Sequence, residues 1–150
     1  MIATSNIFTV GYEGVSIENF IRKLCENSIY RIIDVRRNPI SRKPGFSKAA
    51  LLARLQESGI DYVHIPELGI DSSLRRSLQT DDDYSALFTH YEERMLPNVT
   101  DKIEETIALL EEKPSALLCF EEDPQHCHRT CLAHYIARET DLTEVPLRIR

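Results

Sequence analysis

No stretch of this chain stays apolar long enough to cross a bilayer, which excludes a helical membrane span. Met1–Asn6 has no basic region and no long apolar run behind it, so nothing there reads as a secretory leader. The four cysteines are Cys25, Cys119, Cys127 and Cys131; no C-x-x-C pair occurs among them, so the commonest zinc-ligand spacing is missing. Positive charge is short as well. A formal net charge of −6 excludes the broad basic field of a protein that coats nucleic acid indiscriminately. Internal repeats, linkers and low-complexity tracts are absent too. The expectation is an intracellular, cytoplasmic protein with reduced thiols and no membrane partner, disulfides being the weaker alternative. Its 150 residues fit a single domain, 1–150, large enough to bury a core without staples.

What charge there is lies unevenly. Arg36, Arg37, Arg42, Lys43 and Lys48 fall in one segment with no acid, which leaves −11 on the remainder against −6 overall. A local anion site is therefore compatible with an acidic protein.

Polar, reactive side chains are densest between Cys119 and Arg129. Before them, Ala116-Leu-Leu-Cys-Phe120 is the continuous apolar run of a strand buried on both faces. After them, Leu132, Tyr135 and Ile136 recur at helical spacing. Asp123-Pro124 places an N-cap residue before a proline at the first helical position, so the helix is expected to begin near Pro124. A strand end facing a helix N-terminus is where open α/β sheets bind ligands. The plainer reading is a helix cap with a solvated acidic turn.

Elsewhere, Ile7–Val10, Ile29–Val35, Asp61–Ile65 and Val145–Ile149 read as further strands, the last suiting a sheet edge because of Pro146. Helices are expected after Ser16 (Ile17, Phe20, Ile21, Leu24), after Ser47 as cap (Leu51, Leu52, Leu55), around Leu87–Met95, and around Ile103–Leu110. The alternation predicts an α/β fold: a single-domain three-layer sandwich, a mostly parallel sheet of about five strands with helices on both faces. Crossovers would then bring Gly11–Gly14, Asp34–Arg42, Pro66–Gly69 and Cys119–Arg129 to one sheet edge.

Three chemistries are open to these loops. Arg36, Arg42, Lys43 and Arg129 form a set able to converge on a phosphate or carboxylate, since guanidinium donates in parallel pairs. Tyr12 and Asp34 join them as ligand-binding candidates; in the alternative, Asp34 simply accepts backbone N–H bonds or an arginine. Glu121, just past a buried strand, and His128 are the acid–base candidates, with Asp34, Glu67 and His126 within reach of the same crevice. Cys119 is a candidate nucleophile, although an apolar strand raises a thiol's pKa. Cys127, Cys131 and His134 fall on one helical face and, with His126 or His128, offer a zinc site as a minor possibility; structural cysteine is the plainer reading, and no other cofactor is expected.

Several segments, taken in order, carry a resemblance: Thr9-Val-Gly-Tyr-Glu-Gly14, Ile33-Asp-Val-Arg-Arg-Asn-Pro39, Ser41-Arg42, Gly45-Phe-Ser-Lys48, Tyr62-Val-His-Ile-Pro-Glu-Leu-Gly69 and Cys119 with Cys127-His-Arg129. Together they resemble the motifs of the domain-of-unknown-function family numbered 488, found in bacteria and archaea. The resemblance implies a compact α/β domain and brings no reaction with it. Asp34-Val-Arg36 is also similar to a rhodanese strand, but Arg129 lies ten positions after Cys119 and two after Cys127, so neither cysteine opens an arginine-closed loop. The function expected is binding, with possible hydrolysis or transfer, of a phosphate-bearing ligand such as a nucleotide or a nucleic-acid end. The alternatives are a non-catalytic nucleic-acid or protein binding module in the same pocket, and a zinc-dependent hydrolase.

Overall fold

The computed structural model describes residues 5–74, 78–120 and 127–147. Five parallel strands form one sheet in the order β3-β2-β4-β1-β5: β1 Asn6–Gly11, β2 Arg31–Asp34, β3 Asp61–His64, β4 Ser115–Cys119 and β5 Thr143–Pro146. Among the described residues, five α-helices accompany them: α1 Ile17–Glu26, α2 Lys48–Glu57, α3 Asp81–His90, α4 Thr100–Glu112 and α5 His128–Glu139. The chain is an α/β sandwich, as the alternation of elements requires. No helix among the described residues is long and apolar enough to cross a membrane.

Strand alternation divides the core into two halves. Val10, Ile32, Ala116 and Leu118 face α1 and α2, packing against Ile17, Phe20, Leu24, Leu51 and Leu55. Their neighbours Ile7, Ile33 and Leu117 face the other way, against Ile103 and Leu110 of α4 and Leu132, Ala133 and Ile136 of α5. Successive side chains on a strand point to opposite faces, so Ile32-Ile33 and Leu117-Leu118 each serve both halves. Each such leucine or isoleucine contributes roughly 1.5–3 kcal/mol when fully buried.

Local chemistry fixes the ends of the elements. Ser16 Oγ accepts from Asn19 N at 3.2 Å and starts α1. Thr80 and Asp83 form a reciprocal capping box at α3. Pro114 stops α4, leaving Lys113 extended. Ser47 does stand at the N-cap of α2, but its hydroxyl does not cap the helix. It accepts from Ser41 N at 2.8 Å and donates to the Ser41 carbonyl at 3.1 Å, closing the loop after β2 upon itself. The helix expected from Pro124 begins four residues later, at His128, with Cys127 as N-cap. Asp123 and Pro124 lie outside the described residues.

Candidate functional site

Parallel strands bring all their carboxyl ends to one edge, and strand order decides which neighbours open a crevice there. The chain leaves β1 and β2 toward α1 and α2 on one face; from β4, which lies between them, it enters α5 on the other. Ligands of open α/β sheets sit where such connections diverge. A cleft of about 340 Å³ occupies this place. Tyr12 enters it from the end of β1, Arg36 to Asn38 and Ile40 to Arg42 from the loop after β2, Cys119 and Phe120 from β4, and His128 from α5.

One wall is aromatic. Tyr12 stacks on Phe46 at 4.3 Å with 7° between the rings, and Phe120 meets Tyr12 edge-on at 5.3 Å. Behind that wall lies a buried ion pair. Asp34 is fully buried, and Arg36 grips it with both edges of the guanidinium: Nε to Oδ1 at 2.8 Å and Nη2 to Oδ2 at 2.7 Å. The Arg36 backbone N–H also donates to Oδ1, and the Tyr62 hydroxyl donates to Oδ2 at 2.5 Å. Arg36 Nη1 donates onward to Tyr12 Oη at 3.0 Å and to the Phe46 carbonyl at 2.7 Å. Burial pulls the Arg36 guanidinium down, but the Asp34 carboxylate more than offsets this and holds it above the ordinary range. Burial, reinforced by the charge of Asp34, likewise pushes the Tyr62 phenol far up. The network ties the ends of β1, β2 and β3 to the start of α2.

The floor is sulfur and imidazole. Cys119 and Cys127 are joined as a disulfide, where reduced thiols had been expected. His128 is buried beside them, its Nδ1 3.7 Å from Cys119 Sγ. Its Nε2 lies 2.8 Å from the Val35 carbonyl, which can only accept, so Nε2 carries the proton. Cys127 Sγ accepts from Arg129 N at 3.5 Å as the N-cap of α5. Cys131 is a free thiol whose pKa burial, with Glu92 nearby, pushes up to about 12. It packs with the core between the sheet and α5. His134 is exposed and lies 2.9 Å from Glu144. The described residues that group as metal ligands are thus Cys119, Cys127 and His128, a different set from Cys127, Cys131 and His134.

The sequence candidates part company here. Tyr12, Arg36, Arg42, Cys119 and His128 line the cleft. Asp34 and Arg36 spend their charges on each other, as the plainer reading of Asp34 held. Lys43 lies in the pinned loop but outside the lining, and Arg129 is 1 % exposed within the fold. Glu67 is paired with Lys102 at 3.9 Å. Glu121 and His126 lie outside the described residues. Arg37, not singled out from sequence, is exposed on the lining. No signal in the sequence marks it out: Arg37 lies in a bend past the end of β2, where strand alternation no longer applies.

A family model described as domain of unknown function DUF488 matches residues 16–136. The chain belongs to that family. Neither the curated proteins nor the solved structures contain a match to it. The DUF488 match spans the Arg36–Arg42 loop, Cys119 and the Cys127-His128-Arg129 run, so three sides of the cleft fall within it.

Proposed function

We propose that the cleft binds a phosphate-bearing ligand of about mononucleotide size, held by Arg37 and Arg42. The carrying observation is the state of these two guanidiniums. Both are exposed on the lining of one cleft, and among the described residues neither has a carboxylate in ion-pair range. Among the described residues the one carboxylate buried nearby, Asp34, is already neutralised by Arg36. A local positive field thus survives on a chain of net charge −6. The loop that carries Arg42 is set before any ligand arrives: Ser41 and Ser47 close it, Lys48 N donates to the Pro39 carbonyl at 2.9 Å, and Arg36 holds Phe46. Tyr12, Phe120 and Ile40 supply an apolar surface for a base or sugar beside the charges. The volume, about 340 Å³, is that of a small-ligand site.

Glu121 is the acid–base residue of this reading, since His128 spends its ring N–H on the Val35 carbonyl and Cys119 is bonded to Cys127. A Glu121→Gln chain would then lose turnover of the ligand while keeping its affinity. Binding itself is tested by calorimetry with inorganic phosphate and nucleoside monophosphates. Arg37→Ala/Arg42→Ala should weaken any phosphate affinity by about a hundredfold or more, at 1.5–3 kcal/mol for each charged hydrogen-bonding group. Equal affinities in wild type and double variant overturn the assignment. The competing reading, a nucleic-acid binding module, predicts a steep loss of affinity with salt, with a slope that grows with the number of phosphates contacted.

A further inference from the structure

We infer, resting on the phosphate reading of the cleft, that the Tyr12 hydroxyl donates a hydrogen bond to the ligand's phosphate and that Arg36 aims it. This adds to the two arginines a third, uncharged contact. Tyr12 lines the cleft from the end of β1, yet it is only 2 % exposed, so nearly all of its side chain is held by protein. Its ring lies flat on Phe46 at 4.3 Å and meets Phe120 edge-on at 5.3 Å. The backbone on either side is fixed as well. Gly11 is in register with Cys119 of β4, and Glu13 N donates to the Phe120 carbonyl at 2.9 Å.

The hydroxyl is half satisfied. Tyr12 Oη accepts from Arg36 Nη1 at 3.0 Å, and among the described residues nothing accepts its own proton. A phenol carries that proton in the ring plane, on the side the incoming donor leaves open, so Arg36 decides which way it points. Buried hydroxyls find an acceptor, and the cleft is the space that Tyr12 borders. Arg36 is a cation, and a hydroxyl that accepts from a cation is polarised into a better donor. Its strongest acceptor is an anionic oxygen.

The buried pair thereby does more than brace the loops. Asp34 holds Arg36 by two bonds, Arg36 sets the Tyr12 proton, and the donor is in place before a ligand arrives. Arg36 Nη1 cannot turn to the ligand itself, because its protons go to Tyr12 Oη and the Phe46 carbonyl. The pose of the ligand follows. With one phosphate oxygen at Tyr12 and the others toward Arg37 and Arg42, the rest of the ligand is left to Phe120 and Ile40, which are 43 % and 82 % exposed on the same lining.

The test makes the same substitution at both ends of one network and measures binding of inorganic phosphate and a nucleoside 5′-monophosphate by calorimetry. Tyr12→Phe removes the donor; Tyr62→Phe removes the hydroxyl that donates to Asp34 from outside the cleft lining. Tyr12→Phe should weaken both probes about tenfold, the worth of a hydrogen bond to a charged group. Tyr62→Phe should leave both affinities unchanged. Salt separates this donor from the arginines. Between about 0.01 M and about 0.15 M salt the Debye length falls from ~30 Å to ~8 Å. The loss in Tyr12→Phe should be the same at both, and that in Arg42→Ala should shrink. Spectroscopy needs no variant: the chain has six tyrosines and no tryptophan, so a red-shifted tyrosine difference band on adding phosphate reports a phenol donating to the anion. Unaltered affinity in Tyr12→Phe, an equal loss in Tyr62→Phe, or no difference band at saturating phosphate overturns the assignment of Tyr12 and leaves the phosphate reading standing. That reading falls instead if the wild type binds neither probe, or binds no better than Arg37→Ala/Arg42→Ala.

Discussion

Replacing Arg36 by methionine tests the central claim about how the cleft is built. The substitution keeps an unbranched side chain of similar length and removes the guanidinium. Asp34, fully buried, would keep the Tyr62 hydroxyl and the Arg36 backbone N–H as donors and lose its counter-charge. Breaking a buried pair from one side costs about 3–5 kcal/mol, and the two remaining donors put this case near the lower end. The Tyr12 hydroxyl and the Phe46 carbonyl each lose a hydrogen bond as well, adding about 1 kcal/mol together. The sum is about 4 kcal/mol, a large part of the ~5–15 kcal/mol that holds a typical domain. Urea titration should show the midpoint falling with an unchanged slope, and the melting temperature should drop on the order of 10 °C. The double change Asp34→Leu/Arg36→Met removes both charges and should recover most of the loss, because an apolar pair of similar volume is often neutral or better. Arg37→Met, one position along and exposed, should stay within about 0.5 kcal/mol of wild type. If Arg36→Met costs under about 1 kcal/mol, or the double variant is no better than the single, the pair is not what holds these loops.

Other perturbations read the same edge of the sheet. The Tyr62 phenol is raised in the folded chain, so its contribution is complete below the ordinary tyrosine range and is lost as pH climbs through and beyond about 10. Tyr62→Phe should therefore lower stability near neutrality and flatten the alkaline limb; parallel alkaline limbs in circular dichroism would contradict the assignment. Gly69→Ala would set a methyl 2.6 Å from Arg37 Cα, so the backbone that carries Arg37 must move. The expected result is a loss of about 1–3 kcal/mol together with weakened phosphate binding. Unchanged stability in a melt would show that the two loops are not in close register.

The strands were legible because burial writes itself into apolar runs. Ala116 to Cys119 and Ile32-Ile33 sit in the sheet because no other packing hides them, and Ser115–Cys119 differs from the expected strand by one residue at each end. The shared edge was legible because parallel crossovers carry the loops after the strands to one side, where the odd polar residues cluster. The order β3-β2-β4-β1-β5, which decides which loops meet, was not expected from the sequence. What did not read through was the pairing of side chains. Five basic residues lie between Arg36 and Lys48, and nothing in their order tells that Arg36 folds back two residues onto Asp34 while Arg37 faces out. Asp34 and Arg36 are close along the chain, yet only the packing of Tyr12, Phe46 and Tyr62 makes a bidentate grip cheaper than solvation. Asp123-Pro124 gave a sound local signal for a helix start, but α5 begins at His128, where Cys127 can cap it beside Cys119. Ser47 illustrates the same competition: it occupies the cap position and bonds to Ser41 instead. Cys127 lies eight positions after Cys119, a spacing too unspecific to announce a pair.

The order of the strands also governs what this molecule does when crowded. Parallel sheets assemble slowly, and their unpaired borders are templates for another chain while folding is incomplete. Both borders here are only four residues long, β3 at one side and β5 at the other. β5 ends in Pro146, which has no N–H to offer a docking strand. β3 opens with Asp61, exposed and held by Lys113 at 2.7 Å, so a second chain approaching that border meets fixed charge where it would need backbone. A sheet terminated in this way resists growth by strand addition from either side. Replacing Pro146 by a β-branched residue should therefore reveal itself first in the yield of refolding at high concentration, before any change in the stability of the folded chain.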